Sequence, residues 1–160
     1  MDSPTLFFSI LLSLLPISEL RGGIPYAYFN GVSLLIATPL CVLTNALVAP
    51  IVYTFLATFH KLFHEHWRWY ASFFDRFVAR AQRRVAPKVS KYGYWGILLF
   101  VAIPLPITGA WTGTLGSWIL GLDKRKTMMA VFGGVIVSGL IVTSLVVLGV
   151  GIDSVFIKRI

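Results

Sequence analysis

Two stretches of this chain, residues 32–59 and 127–152, contain no Asp, Glu, Lys or Arg at all. A helix that crosses the hydrocarbon layer of a bilayer needs about 20 apolar residues, so each run can span with residues to spare and can tilt. Pro39 and Pro50 are placed to kink the first run. In the second, Gly133, Gly134 and Gly139 let another helix approach closely. Only 12% of the chain is charged, against 57% hydrophobic and a mean hydropathy of +0.81. A soluble domain carries about 25% charged residues, and a water-facing surface cannot be assembled from so few. The expected fold is an all-α membrane protein.

The other two apolar stretches are interrupted. Residues 5–29 contain Pro16, Glu19, Arg21, Gly22, Gly23 and Pro25, and residues 93–122 contain Pro104 and Pro106 followed by Gly109, Gly113 and Gly116. Proline removes a backbone donor and crowds the preceding turn. Each stretch therefore reads as a helix that enters the bilayer, breaks and turns back: a re-entrant hairpin.

Charge placement points the same way. Residues 60–92 hold eight bases against two acids, and Lys124, Arg125 and Lys126 form a second basic cluster. The positive-inside rule puts both in the cytoplasm, so residues 93–122, flanked by them, must return to the side they left. Residues 5–29, flanked by no basic loop, enter from the opposite face. Lys158 and Arg159 fall on the outer side, against the rule. Asp2 in place of a basic start, and a first apolar run that leads into Glu19 and Arg21, argue against a cleavable leader.

At an offset of 90, Pro16-Ile17-Ser18 aligns with Pro106-Ile107-Thr108, Gly23 with Gly113 and Gly31 with Gly121. The expected architecture is an inverted repeat within one membrane domain, residues 1–160. It comprises a re-entrant hairpin (5–29), a transmembrane helix (32–59), a cytoplasmic connector (60–92), a second hairpin (93–122) and a second transmembrane helix (127–152). Inverted repeats with broken helices meeting near the midplane recur in transporters. In the connector, Phe63, Trp67, Tyr70, Phe74, Phe77 and Ala81 recur at helical spacing with arginines largely elsewhere around the helix, the pattern of an amphipathic helix in the headgroup layer. Interleaved with aromatics and apolar runs, the +8 net charge fits anionic lipid rather than nucleic acid.

Glu19 and Arg21 are the ionisable residues of the apolar segments. Placing such a group at membrane depth costs at least about 2.5–3.5 kcal/mol, so it normally faces a polar path and a partner. Two residues apart on a regular helix they would not meet; local unwinding at Gly22, Gly23 and Pro25 is expected to bring them together or to free each for a substrate. Burial and the neighbouring guanidinium act in opposite directions on the Glu19 carboxyl, so proton occupancy can switch the pair. The competing expectation is a permanent ion pair that pins the hairpin tip. In the second half Pro104, Pro106, Thr108, Gly109, Trp111, Thr112 and Gly113 offer hydroxyls, bare backbone and one aromatic to complete a polar cavity, or else a tightly packed helix break.

His60, His64 and His66 beside Glu65 include an i, i+4 pair without further ligands at fixed spacing, so no metal is expected. Cys41 is the sole cysteine and excludes an intramolecular disulfide framework. With no nucleophilic triad, P-loop or dinucleotide fingerprint, neither enzymatic activity nor a cofactor is expected. The glycines of the last run make a homodimer plausible.

The run Pro16-Ile17-Ser18-Glu19-Leu20-Arg21-Gly22-Gly23-Ile24-Pro25, with Ile103-Pro104-Leu105-Pro106-Ile107-Thr108-Gly109-Ala110-Trp111-Thr112-Gly113, resembles the two signature stretches of the small multidrug export protein family, which looks related to the DedA, or VTT-domain, membrane proteins. The resemblance implies a multi-pass protein of a prokaryotic inner membrane. It implies a proton-coupled transporter or flippase for an amphipathic anionic lipid such as a polyprenyl phosphate. The family label implies instead a proton-linked exporter of lipophilic cations, and a non-transporting scaffold is the third reading. Where DedA proteins tend to carry arginines, this chain has Val101 and Ile107, so Arg21 would serve almost alone.

Overall fold

A computed structural model describes residues 3–58, 75–76, 79, 83, 85–87, 89–105 and 108–157, with side chains through residue 149. The described residues include the helices α1 (Ser3–Leu14), α2 (Glu19–Phe29), α3 (Leu34–Ala46), α4 (Val48–Thr58), α5 (Tyr94–Ala102), α6 (Ala110–Ile119) and α7 (Lys124–Ile157). No strand occurs among them. The expected amphipathic helix over 60–92, with His60, His64, Glu65 and His66, lies mostly outside the described residues, as does Pro106.

Both uninterrupted runs become helices long and apolar enough to span. Leu34–Thr58 has 25 residues at mean hydropathy 2.0, and Lys124–Gly149 has 26 at 2.5. Each is about 37–39 Å long at 1.5 Å per residue, more than the roughly 30 Å of hydrocarbon. The first is not one smooth helix. It breaks at Leu47 between α3 and α4, because Pro50 has no N–H to offer the Ala46 carbonyl and its ring crowds that turn. Pro39, by contrast, is carried within α3. The second begins at Lys124 rather than 127 and continues past 152.

Interior glycines set the packing of α7. A Cβ on Gly134 would lie 2.7 Å from Val101 Cβ and 2.8 Å from the Leu98 carbonyl of α5, and one on Gly139 would overlap Val42 of α3. Thr38 and Thr143 share a hydrogen bond of 2.7 Å across α3 and α7. Every segment feeds one core, in which Leu20, Ile24, Val48, Ile97, Phe100, Val131 and Val135 are at most 2% exposed. The outside is apolar too: Leu35 is 88% exposed, Met129 75% and Leu140 60%. Such side chains suit a lipid-facing wall.

α1 and α2 pack along each other in opposite directions. Leu6 near the start of α1 meets the Ala27 cluster near the end of α2, the rings of Phe8 and Tyr26 lie 6.3 Å apart, and Gly23 sits against Ser9 and Ser13. The turn of this hairpin is Leu15–Ser18. α5 and α6 lean on α7, and α6 also on α4, more than on each other. Even so, the backbone N–H of Asp123, just after α6, donates to Tyr94 Oη at the start of α5 at 3.1 Å, so this segment ends where it began. That end also holds Lys124 over the Tyr53 ring and Lys126 over the Tyr94 ring.

The exits from α2 and α6 match at one offset. The chain leaves α2 through Gly31 (φ +85°) and α6 through Gly121 (φ +67°). The bonds Asn30 N–H to Tyr26 O, Gly31 N–H to Tyr28 O and Val32 N–H to Ala27 O recur as Leu120 to Gly116, Gly121 to Trp118 and Leu122 to Ser117. Each pair is 90 positions apart, as are the starts of α3 and α7.

Candidate functional site

Where the first segment breaks, Pro16 follows Leu15, and α2 starts three residues later at Glu19. Glu19 is the one non-glycine residue with positive φ among the described residues, at +51°. That conformation costs an ordinary residue about 1–2 kcal/mol and persists where its surroundings hold it. The surroundings are the second break. Gly109 caps α6 at φ +139°, and its bare Cα lies against the Glu19 carboxylate so closely that a Cβ would overlap it. Glu19 Oε1 accepts from the Trp111 backbone N–H at 3.3 Å. The carboxylate thus takes the place of a capping side chain at the N-terminus of α6, where unbonded N–H groups and the helix dipole favour negative charge.

Arg21 performs the complementary task. Its guanidinium donates to the Leu105 and Thr108 carbonyls and, at 3.4 Å, to Thr108 Oγ1, all in the non-helical link after α5. It also lies 3.6 Å from Glu19 Oε2. A third tie runs from Trp111 Nε1 to the Leu14 carbonyl at 2.9 Å, at the end of α1. Glu19 and Arg21 at the first break therefore satisfy backbone groups at the second, and Trp111 of α6 answers the last carbonyl of α1, an arrangement that a water-free layer favours.

Two expectations need correction. Gly22, Gly23 and Pro25 do not unwind the chain, because α2 runs through all three. Glu19 and Arg21 meet because Glu19 turns into positive φ at the very start of the helix. Gly23 instead makes room: a Cβ there would strike Ser13 Oγ and come within 2.8 Å of the Ser9 carbonyl and 3.1 Å of Cys41 Sγ. Trp111, Thr112 and Gly113 likewise belong to α6 and not to the break. Thr112 is buried, and Gly113 seats α6 on Val101. The structure brings Glu19, Arg21, Thr108, Gly109 and Trp111 together. Pro25 and Pro104 join Arg21 in the wall of an open groove of about 420 Å³, completed by Phe29, Val142, Leu145 and Val146. Among the described residues Arg21 is the one charged residue on that wall.

Asn45 is the residue sequence reasoning missed. It is fully buried beside the Glu19 carboxylate, just before the break at Leu47. Neither of its amide atoms meets hydrogen-bond geometry with any protein group. The available signal was an amide within a charge-free run, where an unsatisfied polar group is expensive.

A family model described as "Putative small multi-drug export protein" matches residues 19–141. No curated protein and no solved structure matches the chain.

Proposed function

We propose, because this chain belongs to the small multi-drug export protein family, that it is a membrane protein exporting small amphipathic molecules in exchange for protons, with the joined helix breaks as its gate. The observation that carries this reading is the capping of the second break by Glu19 and Arg21 of the first. Protonating Glu19 removes the charge that α6 and Arg21 both recognise, so one proton loosens both ends of the clasp. The protein needs no cofactor for this and performs no covalent chemistry.

The return of residues 94–123 to their starting end and the 90-residue correspondence support two re-entrant hairpins in an inverted repeat. Basic residues at the start of α7 support a cytoplasmic position for that end, as in a multi-pass protein of a prokaryotic inner membrane. A second reading, movement of an anionic lipid such as a polyprenyl phosphate, is favoured by the groove, where the exposed edge of Arg21 meets apolar walls.

Purified protein in liposomes with an imposed pH gradient tests both. Wild type should move a lipophilic cationic dye, with Glu19→Gln abolishing the response to the gradient. Arg21→Ala should abolish movement of a fluorescent phosphate lipid if the second reading holds. Full activity of both variants toward both probes would refute the gate.

A further inference from the structure

Two other buried polar side chains share the condition of Asn45. Thr114 on α6 and Thr127 on α7 are fully buried, and neither hydroxyl has a hydrogen-bond partner. Buried hydroxyls and amides are ordinarily satisfied, and those without a protein partner take water. Their positions form a pattern. On α6, Ala110, Thr114 and Ser117 follow at i, i+4 and i+7 and so share one face. Ala110 is the residue beside Glu19. The other end of that face leads toward the loop before Lys124.

The repeat supplies an internal control. Ninety residues earlier, Thr114, Ser117 and Thr127 correspond to Ile24, Ala27 and Ala37, all fully buried and all apolar. Ala27 and Ala37 share one packed cluster. In turn Asn45 corresponds to Val135. Ser9 and Ser13 on α1 are buried as well, but each hydroxyl donates to the carbonyl four residues back in its own helix, which leaves Thr114 and Thr127 as the buried hydroxyls without a partner among the described residues.

We infer that Asn45, Thr114, Ser117 and Thr127 line a one-sided hydrated path joining Glu19 to the basic end of the molecule at Lys124–Lys126. The path carries water and protons and is too narrow for the exported molecule, which uses the groove at Arg21. It deepens the proton-exchange reading above by giving its proton a route from one side only. Its test reads hydration and not transport, so the two stand or fall separately.

The experiment places single cysteines in the full-length Cys41→Ser protein, in membrane vesicles, and measures their reaction with a small, membrane-impermeant cationic thiol reagent applied to either face. Thiolate is the reactive form and a dry apolar setting suppresses it, so a change of one pKa unit alters the rate about tenfold. Thr127→Cys and Thr114→Cys should react at least about tenfold faster than Ala37→Cys and Ile24→Cys, and only from the basic face. Having two probe positions covers the case in which one variant does not fold, as judged by monodisperse gel filtration. No reaction at either threonine position, or equal reaction at the corresponding apolar positions, overturns the path.

Discussion

The two helix breaks occupy corresponding places in the two halves, yet they are made of opposite materials. The first is charged: Glu19 at φ +51° and Arg21 two residues on. The second is bare: Gly109 at φ +139° and, just before it, the Leu105 and Thr108 carbonyls that Arg21 meets. Ninety residues separate Glu19 from Gly109, and the carboxylate of one lies against the Cα of the other. The lesson is that the second break is not self-sufficient. A helix break in an apolar setting must find donors and acceptors for its backbone, and the second break finds them in Glu19 and Arg21 of the first.

The largest effect should come from removing the charge that holds the bare half. Arg21→Ala removes the guanidinium from the Thr108 carbonyl, leaves the Leu105 carbonyl with only its local bonds from Thr108, and deprives Glu19 of its countercharge, which costs about 3–5 kcal/mol for a buried pair. Thermal unfolding in detergent should show it, and a variant as stable as wild type would break the comparison. Gly109→Ala attacks the other side, forcing a Cβ into the carboxylate at a left-handed φ, for about 2–3 kcal/mol. Gly31→Ala and Gly121→Ala are its controls. Both glycines also have positive φ but open space where a Cβ would go, so each should cost only about 1 kcal/mol. Equal losses at all three glycines would mean that backbone conformation, and not the Glu19 contact, governs Gly109. Smallest is Thr38→Val, which removes the α3–α7 hydroxyl bond away from either break, for roughly 0.6 kcal/mol, and should leave export unchanged in liposomes.

Much of this was legible in the sequence for one reason: a bilayer punishes unpaired polar groups, so charge-free runs and their interruptions speak plainly. The spans beginning near Leu34 and Lys124, the two interrupted segments and the pairing of Glu19 with Arg21 all follow from that. The site of the first break did not. Gly22, Gly23 and Pro25 carry poor helix propensity, but propensity is a weak prior, and the close seating of Gly23 on α1 and α3 overrides it. The sequence pointed to Thr108, Gly109 and Trp111 as the facing residues but not to the contacts themselves, since most are made by backbone atoms of residues 105, 108 and 111, which leave no side-chain signature. Asn45 stayed hidden because a single amide barely changes the hydropathy of the run around it.

The central claim is that the two breaks hold each other through Glu19 and Arg21 and part when Glu19 takes a proton. Its most direct test is the distance between nitroxide labels at Ile17 on the first tip and Leu105 in the second link, both exposed, measured by pulsed electron paramagnetic resonance in the Cys41→Ser background. A single short distance at neutral pH, joined by a longer one as the pH falls and replaced by it in Glu19→Gln, is the predicted result. One unchanging distance at every pH and in that variant, from protein that still exports, would contradict the account.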